Sequence, residues 1–339
     1  MAEKKRKISK GKLRAIIIAA VTAVIVISLV VTNLFVPVKY LSSYFVIRNK
    51  GAKEGTMRVR FVDVGYGDCT IIELPDGKNM LIDAGDGSSR NQKRILKFLN
   101  QCDIDVIDYL VCTSVNAEHC GGLTEIMEYK KVKRIFMPYC KNVYVTDEYK
   151  NFVLSASVSK CDLVESQYGT GEVNDKSGYF FTFLSPSVHT NPDSEYSGLV
   201  GNPTVTQKNN ASAVLWLEYA GTGFLFTSDV TDSVLKKICD GYSIDKDRYA
   251  YNGGHVVNLE SCNVLKVPNH GNKSSAYTQF YELIKPETAV ISVGNNGQDC
   301  PSAEALSNAI NYTGEKNLFR TDIHGTVTIE VTENGYTVV

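Results

Sequence analysis

The sequence predicts an α/β (α+β) domain of two packed β-sheets with helices on their outer faces, preceded by one N-terminal transmembrane helix. Three observations carry that reading. Ala15 to Val36 is a run of 22 uncharged residues, mostly Ile, Val and Ala, behind a basic N-terminus. From Met57 onward, short apolar segments are punctuated by Gly, Pro and Asn turn signals. Blocks of strands are interrupted by helical periodicity twice over, the pattern of two sheets covered by helices.

Residues 1–14 read as a basic cytoplasmic tail, in which Lys4, Lys5, Arg6, Lys7, Lys10, Lys12 and Arg14 face Glu3 alone. Residues 15–36 read as the transmembrane helix, about 33 Å long and sufficient to cross the hydrocarbon core. The basic flank holds the N-terminus in the cytoplasm and places the C-terminal domain outside, a single-pass signal anchor in the cell membrane. A cleaved signal peptide competes, with Ala20 or Ala23 as small-residue sites, but the apolar run continues for thirteen residues past Ala23. A buried soluble helix is disfavoured, because a core helix is rarely apolar all round for this length. Residues 37–56 read as a polar linker and 57–339 as the folded domain.

Within that domain Arg58 to Val64 reads as a strand that runs into the glycine turn Asp63–Asp68. Strands Cys69–Leu74 and Asn79–Ile82 are joined by Pro75-Asp76-Gly77-Lys78, a strong hairpin signal. A helix at Asn91–Asn100 and a buried strand at Val106–Thr113 follow, then a helix at Leu123–Tyr129 and a strand at Arg134–Met137. The middle is less regular, and residues 187–208, rich in Ser, Asn, Pro and Gly, read as a long surface loop. A second hairpin joins Ser212–Tyr219 to Gly223–Thr227 around Ala220-Gly221-Thr222. Helix Asp232–Cys239, strand Val264–Val267, helix Ala276–Ile284 and strand Thr288–Val293 come next. Helix Ser302–Ile310 and strands Thr326–Val331 and Tyr336–Val339 close the chain.

The net charge of −1 hides a split. Removing the seven basic and one acidic residues of the tail from 36 and 37 leaves 29 and 36, a charge of −7. That balance argues against non-specific nucleic-acid binding, except through a local basic patch. Nine cysteines are an odd number for an exported chain and show no CxxC spacing. Several lie in apolar runs such as Leu110-Val111-Cys112, where a thiol packs as a small hydrophobe.

Six segments, in this order, carry a family resemblance: Asp63-Val64-Gly65-Tyr66-Gly67-Asp68; Leu81-Ile82-Asp83-Ala84-Gly85; Thr113 to Gly122, with Glu118-His119 at its heart; Phe226-Thr227-Ser228-Asp229; Leu265 to Ser275, with Pro268-Asn269-His270-Gly271; and Arg320-Thr321-Asp322 with Gly325. Together they resemble the metallo-β-lactamase-fold domain of ComEC-type competence proteins, here as a stand-alone, membrane-anchored member. The resemblance implies an αββα sandwich with metal ions held by loops at one end of the sheets.

It also implies an altered metal site. Where the family reads Thr-His-x-Asp-x-Asp-His, this chain has Ser114, Asn116 and Glu118 in place of the first His and the two Asp, and keeps His119. The ligand of the Thr-Gly-Asp motif is kept as Asp229, and the second His of Pro-His-His-Gly-Ser as His270, whereas Asn269 replaces the first. Cys300-Pro301-Ser302 stands where the family often has His-Pro-Ser. The first ion of the pair therefore loses ligands at Ser114 and Asn116. The second keeps Glu118, His119, Asp229 and His270, with Cys300 as a replacement thiolate ligand to weigh against a packed thiol. Zinc or manganese suits such a set.

Two functions follow. One is a metal-dependent phosphodiesterase or nuclease on one ion, with Asp229 and Glu118 as catalytic residues and nucleic acid or another phosphodiester as substrate. The other is a metal-free pseudoenzyme acting as a cell-surface binding or scaffolding module. The family's multi-helix channel has no counterpart here, so the chain is not expected to carry DNA across a membrane by itself. Asp63, Asp68 and Asp83 read as turn-capping carboxylates, Lys266 and Lys273 as solvated lysines with phosphate contact as the alternative, and His189, His255 and His324 as surface residues.

Overall fold

The apolar N-terminal run folds as helix α1 (Lys10–Phe35). Its window Arg14–Val31 is long and apolar enough to cross a membrane, and none of it is buried against protein, so it suits a single-pass anchor. The structure is a computed structural model and describes residues 10–35, 37–48, 51–139, 145–188, 199–295, 297 and 299–339. His189 and Cys140 lie outside the described residues, as do most of the tail and part of the loop 187–208. After α1 the chain winds into a 3-10 turn, Val38–Ser43. Tyr40 of this turn is fully buried, edge-on to Tyr129 at 5.7 Å between ring centroids.

Strand parity sets the layers. In β1 (Met57–Phe61) Met57, Val59 and Phe61 are buried, and Arg58 and Arg60 alternate with them on the other face. The hairpin β2 (Thr70–Glu73) to β3 (Asn79–Ile82) turns at the expected Pro75–Lys78. Helix α2 (Ser89–Gln101) crosses over to β4 (Val106–Val111), and the short helices α3 (Ala117–Cys120) and α4 (Leu123–Tyr129) lead to β5 (Lys131–Met137). Helix α5 (Asp147–Val158), capped by the Thr146 hydroxyl, crosses to β6 (Asp162–Glu165).

The second sheet takes β7 (Gly171–Asn174), β8 (Tyr179–Ser185), and, after helix α6 (Val205–Asn210), β9 (Val214–Tyr219) and β10 (Thr222–Phe226). Ala220 and Gly221 are both left-handed, the backbone that closes a two-residue hairpin. Helix α7 (Asp232–Ile244), β11 (Cys262–Lys266), α8 (Thr278–Ile284), β12 (Thr288–Ile291), α9 (Ala303–Thr313) and β13 (Leu318–Arg320) complete it. The turn α10 (Thr321–His324) returns the chain to the first sheet as β14 (Val327–Thr332) and β15 (Gly335–Val338).

The sheet orders are β15-β14-β1-β2-β3-β4-β5-β6 and β13-β12-β11-β10-β9-β8-β7. Between them lies a core built from Val59, Phe61, Ile72 and Phe136 on one side and Phe181, Phe183, Leu215 and Phe224 on the other. A second cluster packs the first sheet against α2, α4 and α5, and a third packs the other sheet against α7, α8 and α9. This is the four-layer αββα sandwich.

The middle of the chain departs from the sequence reading. It holds α5, β6, β7 and β8, and β8 is buried at every residue. Tyr179-Phe180-Phe181-Thr182-Phe183-Leu184-Ser185 faces a sheet partner layer on one side and α7 on the other, so it lacks the alternation that marks a half-exposed strand. Helix α6 (Val205–Asn210), closed by a reciprocal cap between Thr204 and Gln207, begins inside the expected loop 187–208. Among the described residues no disulfide forms, and Cys69, Cys102, Cys112, Cys120, Cys161, Cys239, Cys262 and Cys300 are thiols.

Candidate metal centre

Because β1, β3 and β4 run the same way, and β10, β11 and β12 run parallel, their C-terminal loops meet at one edge of the sandwich. Each loop brings a polar residue to that edge. The first carries Asp68, the second Asp83, the third Glu118 and His119 on α3, the fourth Asp229 and the fifth His270. Ligand atoms of Glu118, His119, Asp229 and His270 all lie within 4.8 Å of one another, and His119, Asp229 and His270 are buried. Four non-glycine residues of these loops are left-handed, Asp83, Ser228, Asn269 and His270. Such backbone is costly and is held only where the surroundings over-determine it.

The two histidines are oriented by their rear nitrogens. His119 Nδ1 lies 2.8 Å from Asp83 Oδ2. Asp83 also accepts from the Thr113 amide at 2.8 Å and the Thr113 hydroxyl at 2.5 Å. His270 Nδ1 donates to the Ser292 carbonyl at 2.8 Å. Both Nε2 atoms are thereby aimed at Asp229, 2.9 Å from its Oδ2 for His119 and 3.4 Å from its Oδ1 for His270. Neither Nε2 makes a hydrogen bond of acceptable geometry, and Asp229 Oδ1 and Asp68 Oδ1 are likewise buried without a partner among the described residues. Buried polar atoms are ordinarily satisfied, and a convergent set of orphans marks a missing ligand or ion. A ring nitrogen that points inward while its twin donates to a carboxylate or carbonyl is the arrangement of a metal-binding histidine. The residues present therefore fit a metal ion.

Charge follows the same geometry. Burial works against a charged His119, but Asp229 and Asp83 at its two nitrogens outweigh it and hold its pKa well above the usual range. Burial alone would raise Asp229, and His119, then His270 and Lys266, instead hold its carboxyl far below the usual range. His270 is lowered, by burial first, against the pull of Asp68 and Asp229, which suits a neutral ring.

The expected first-ion positions carry no such donors. Ser114 is buried with its hydroxyl accepting from the Asn116 amide at 3.3 Å. Asn116 Nδ2 donates to Asp229 Oδ2 at 3.0 Å and to Asn209 Oδ1 at 2.8 Å, so this position offers Asp229 a donor and not a further ligand atom. Asn269 is turned away to Ser274 and Ser275. Cys300 stands outside the four-residue cluster, where Asn272 Nδ2 donates to its sulfur at 3.5 Å. Burial raises its pKa, the Asn272 bond lowers it, and Asp229 raises it further.

Some residues take roles the sequence did not assign. Asp63 does cap its turn, accepting from the Gly65 amide at 3.0 Å. Asp83 and Asp68 do not: Asp83 props His119, and Asp68 pairs with Lys266 and lies 3.6 Å from a nitrogen of each histidine. Lys266, read as solvated, is 3% exposed, because it sits on a central strand and points into this carboxylate. Tyr66, inside the glycine turn, packs its ring against His270 at 4.5 Å between centroids with the planes tilted by 47°. Lys273 and His324 are exposed, and His255 stacks on Phe180 and meets Asp175 at 2.7 Å.

Comparison with known proteins agrees with the fold and the motifs. The Metallo-beta-lactamase superfamily profile matches residues 62–294. "ComE operon protein 3" of Bacillus subtilis is 26% identical over 285 residues, covering 79% of this chain and 32% of its own length. "Recombination protein 2" of Haemophilus influenzae is 23% identical over 257 residues, covering 75% of this chain and 26% of its own. The chain thus spans about a third and a quarter of the length of these ComEC-type relatives. Among solved structures, the metallo-beta-lactamase fold protein YhfI from Bacillus subtilis is 9% identical with a TM-score of 0.43, over 78% of this chain and 95% of that one. CmlA, a diiron beta-hydroxylase from Streptomyces venezuelae, is 13% identical with a TM-score of 0.45, over 83% of this chain and 55% of that one.

Proposed function

This chain belongs to the metallo-beta-lactamase superfamily, and from that premise we propose that it is a membrane-anchored, extracytoplasmic hydrolase of phosphodiesters, nucleic acid among them, that works with one zinc or manganese ion. The observation that carries the reading is the convergence of two orphaned histidine nitrogens and an orphaned carboxylate oxygen on one point. Glu118, His119, Asp229 and His270 would hold the ion. Such an ion supplies a Lewis acid and acidifies water toward neutral pH.

The protein's own groups do the rest. Asp83 and the Ser292 carbonyl engage Nδ1 of His119 and His270, which turns each Nε2 toward Asp229. Asn116 holds Asp229 Oδ2 and leaves Oδ1 toward His270. Glu118 is half-buried, and the carboxylate oxygen it does not give to the ion would accept a proton from the attacking water and return it to the leaving oxygen. Tyr66 covers His270 and limits solvent from that side.

Metal content of the full-length chain, purified in detergent with zinc and manganese supplied, tests the reading. About one ion per chain is expected, lost in Asp229→Asn and His270→Ala, with phosphodiesterase turnover lost in step. Turnover that persists in Asp229→Asn sinks the mechanism. A metal-free scaffold is the second reading, favoured by the way His119 lies between Asp83 and Asp229 and balances their charge unaided. No bound metal at micromolar supply would select it.

A further inference from the structure

The domain is acidic, with 29 basic against 36 acidic residues beyond the tail, yet one face of α2 is not. Arg90, Lys93, Arg94 and Lys97 recur at intervals of three and four, which lines them up along the helix. Arg94 is held by Asp63 Oδ2 at 2.6 Å. Arg90, Lys93 and Lys97 are exposed, and among the described residues no carboxylate pairs with them. Together with Ser42 and Ser43 they line an open cavity of about 530 Å³. The two serines belong to the 3-10 turn Val38–Ser43, close in sequence to the end of α1 at Phe35.

This turn and the residues after it are tied to α2 and its end, and Asn100 Nδ2 donates to the Ser43 carbonyl at 2.9 Å. Ser43 Oγ donates to the Lys93 carbonyl at 3.0 Å, and Arg48 pairs with Asp103 just beyond the helix. Phe45 and Ile47 stand between those ties and are 79% and 87% exposed. Two bare apolar side chains beside unpaired cations are an unfavourable surface in water and a favourable one at a bilayer interface. A six-residue 3-10 turn spans only about 12 Å, which keeps the cations near the surface potential of the membrane.

We infer that this face, Arg90, Lys93 and Lys97 with the cavity beside Ser42 and Ser43, is a binding site for the phosphate headgroups of anionic lipids in the membrane that α1 spans, with Phe45 and Ile47 entering the acyl boundary. The inference rests on the anchor reading of α1. Its consequence is orientation: the domain lies against the bilayer on its α2 side, so the metal edge cannot turn freely about the anchor.

The test uses the full-length chain carrying Phe45→Trp, assembled into nanodiscs of phosphatidylcholine alone or mixed with phosphatidylglycerol, with brominated acyl chains as quencher. Trp216, the chain's single native tryptophan, is fully buried and gives a constant background. In discs with anionic lipid, emission from position 45 should fall by roughly half, and high salt or the combined Arg90→Glu, Lys93→Glu and Lys97→Glu should restore it. A reporter at Ile244→Trp, 84% exposed on α7 at the opposite outer layer, should stay unquenched. Equal quenching in neutral and anionic discs, or no response to charge reversal, overturns the headgroup site and leaves the anchor standing. A chain that stays out of the discs overturns the anchor and this proposal together.

Discussion

His119 Nδ1 is held by Asp83 at 2.8 Å, and Asp83 itself lies with Asp68 and His119 in a second group of closely spaced ligand-type atoms. The motif containing Asp83 was legible in the sequence, but its role was not. A carboxylate at a strand end most often caps its own turn, and only the parallel pairing of β3 with β4 reveals that Thr113 and His119 lie opposite. By contrast, Glu118, His119, Asp229 and His270 could each be named from short motifs with fixed offsets, and the structure brings the four within 4.8 Å of one another. Asp83→Asn should separate the two roles. The amide keeps the volume but has a single acceptor oxygen, so it cannot accept from the Thr113 N–H on one side and from the Thr113 hydroxyl and His119 Nδ1 on the other. Ion affinity should fall by about 10–100-fold, read by competition with a chelating dye, and stability by about 1–3 kcal/mol, read by urea unfolding. Unchanged affinity would mean that His119 is not a ligand, or that its tautomer is fixed without Asp83.

At the scale of elements, the loop after β4 shows how tightly the site is framed. Gly122 begins α4 directly under the β3 loop, where a Cβ would lie 2.2 Å from the Ala84 carbonyl and 1.9 Å from Gln92 Nε2. Gln92 is fully buried and donates to that same carbonyl at 3.2 Å. Only glycine fits between them, and so α3 can place His119 against Asp83 with two turns of chain. Gly122→Ala should cost about 1–3 kcal/mol through overpacking. Its urea midpoint should fall with an unchanged slope, and metal affinity should fall with it. A wild-type midpoint would show that the α4 start can shift without disturbing α3. The hairpins and crossover helices were readable because turn chemistry and periodicity are local, whereas β8 was not. An apolar run buried on both faces carries no period, and only the partner layers distinguish it from a core helix.

For the whole molecule, the sequence separated an apolar span, a connecting segment and a domain, and the structure places Tyr40 of that segment inside the domain's outer core. Metal content and stability therefore belong to a chain that keeps Tyr40. The buried edge of the sandwich brings together Asp68, Asp83 and Asp229 with His119 and Lys266, so the ion-free site already balances much of its charge. A site of this kind folds without its ion and gains stability when the ion binds the native state alone, by about 2.7 kcal/mol at a hundredfold excess over the dissociation constant. In a domain of this size that corresponds to a rise in Tm of roughly 5 °C or more. Chelation of the loaded chain should remove the rise while leaving cooperative unfolding, and re-addition of zinc or manganese should restore it. His270→Ala should unfold at the same temperature with and without chelator. If chelator leaves the wild-type Tm unchanged as well, no ion contributes to the native state, and the charge balance around His119 is the whole function of that edge, as the scaffold reading requires.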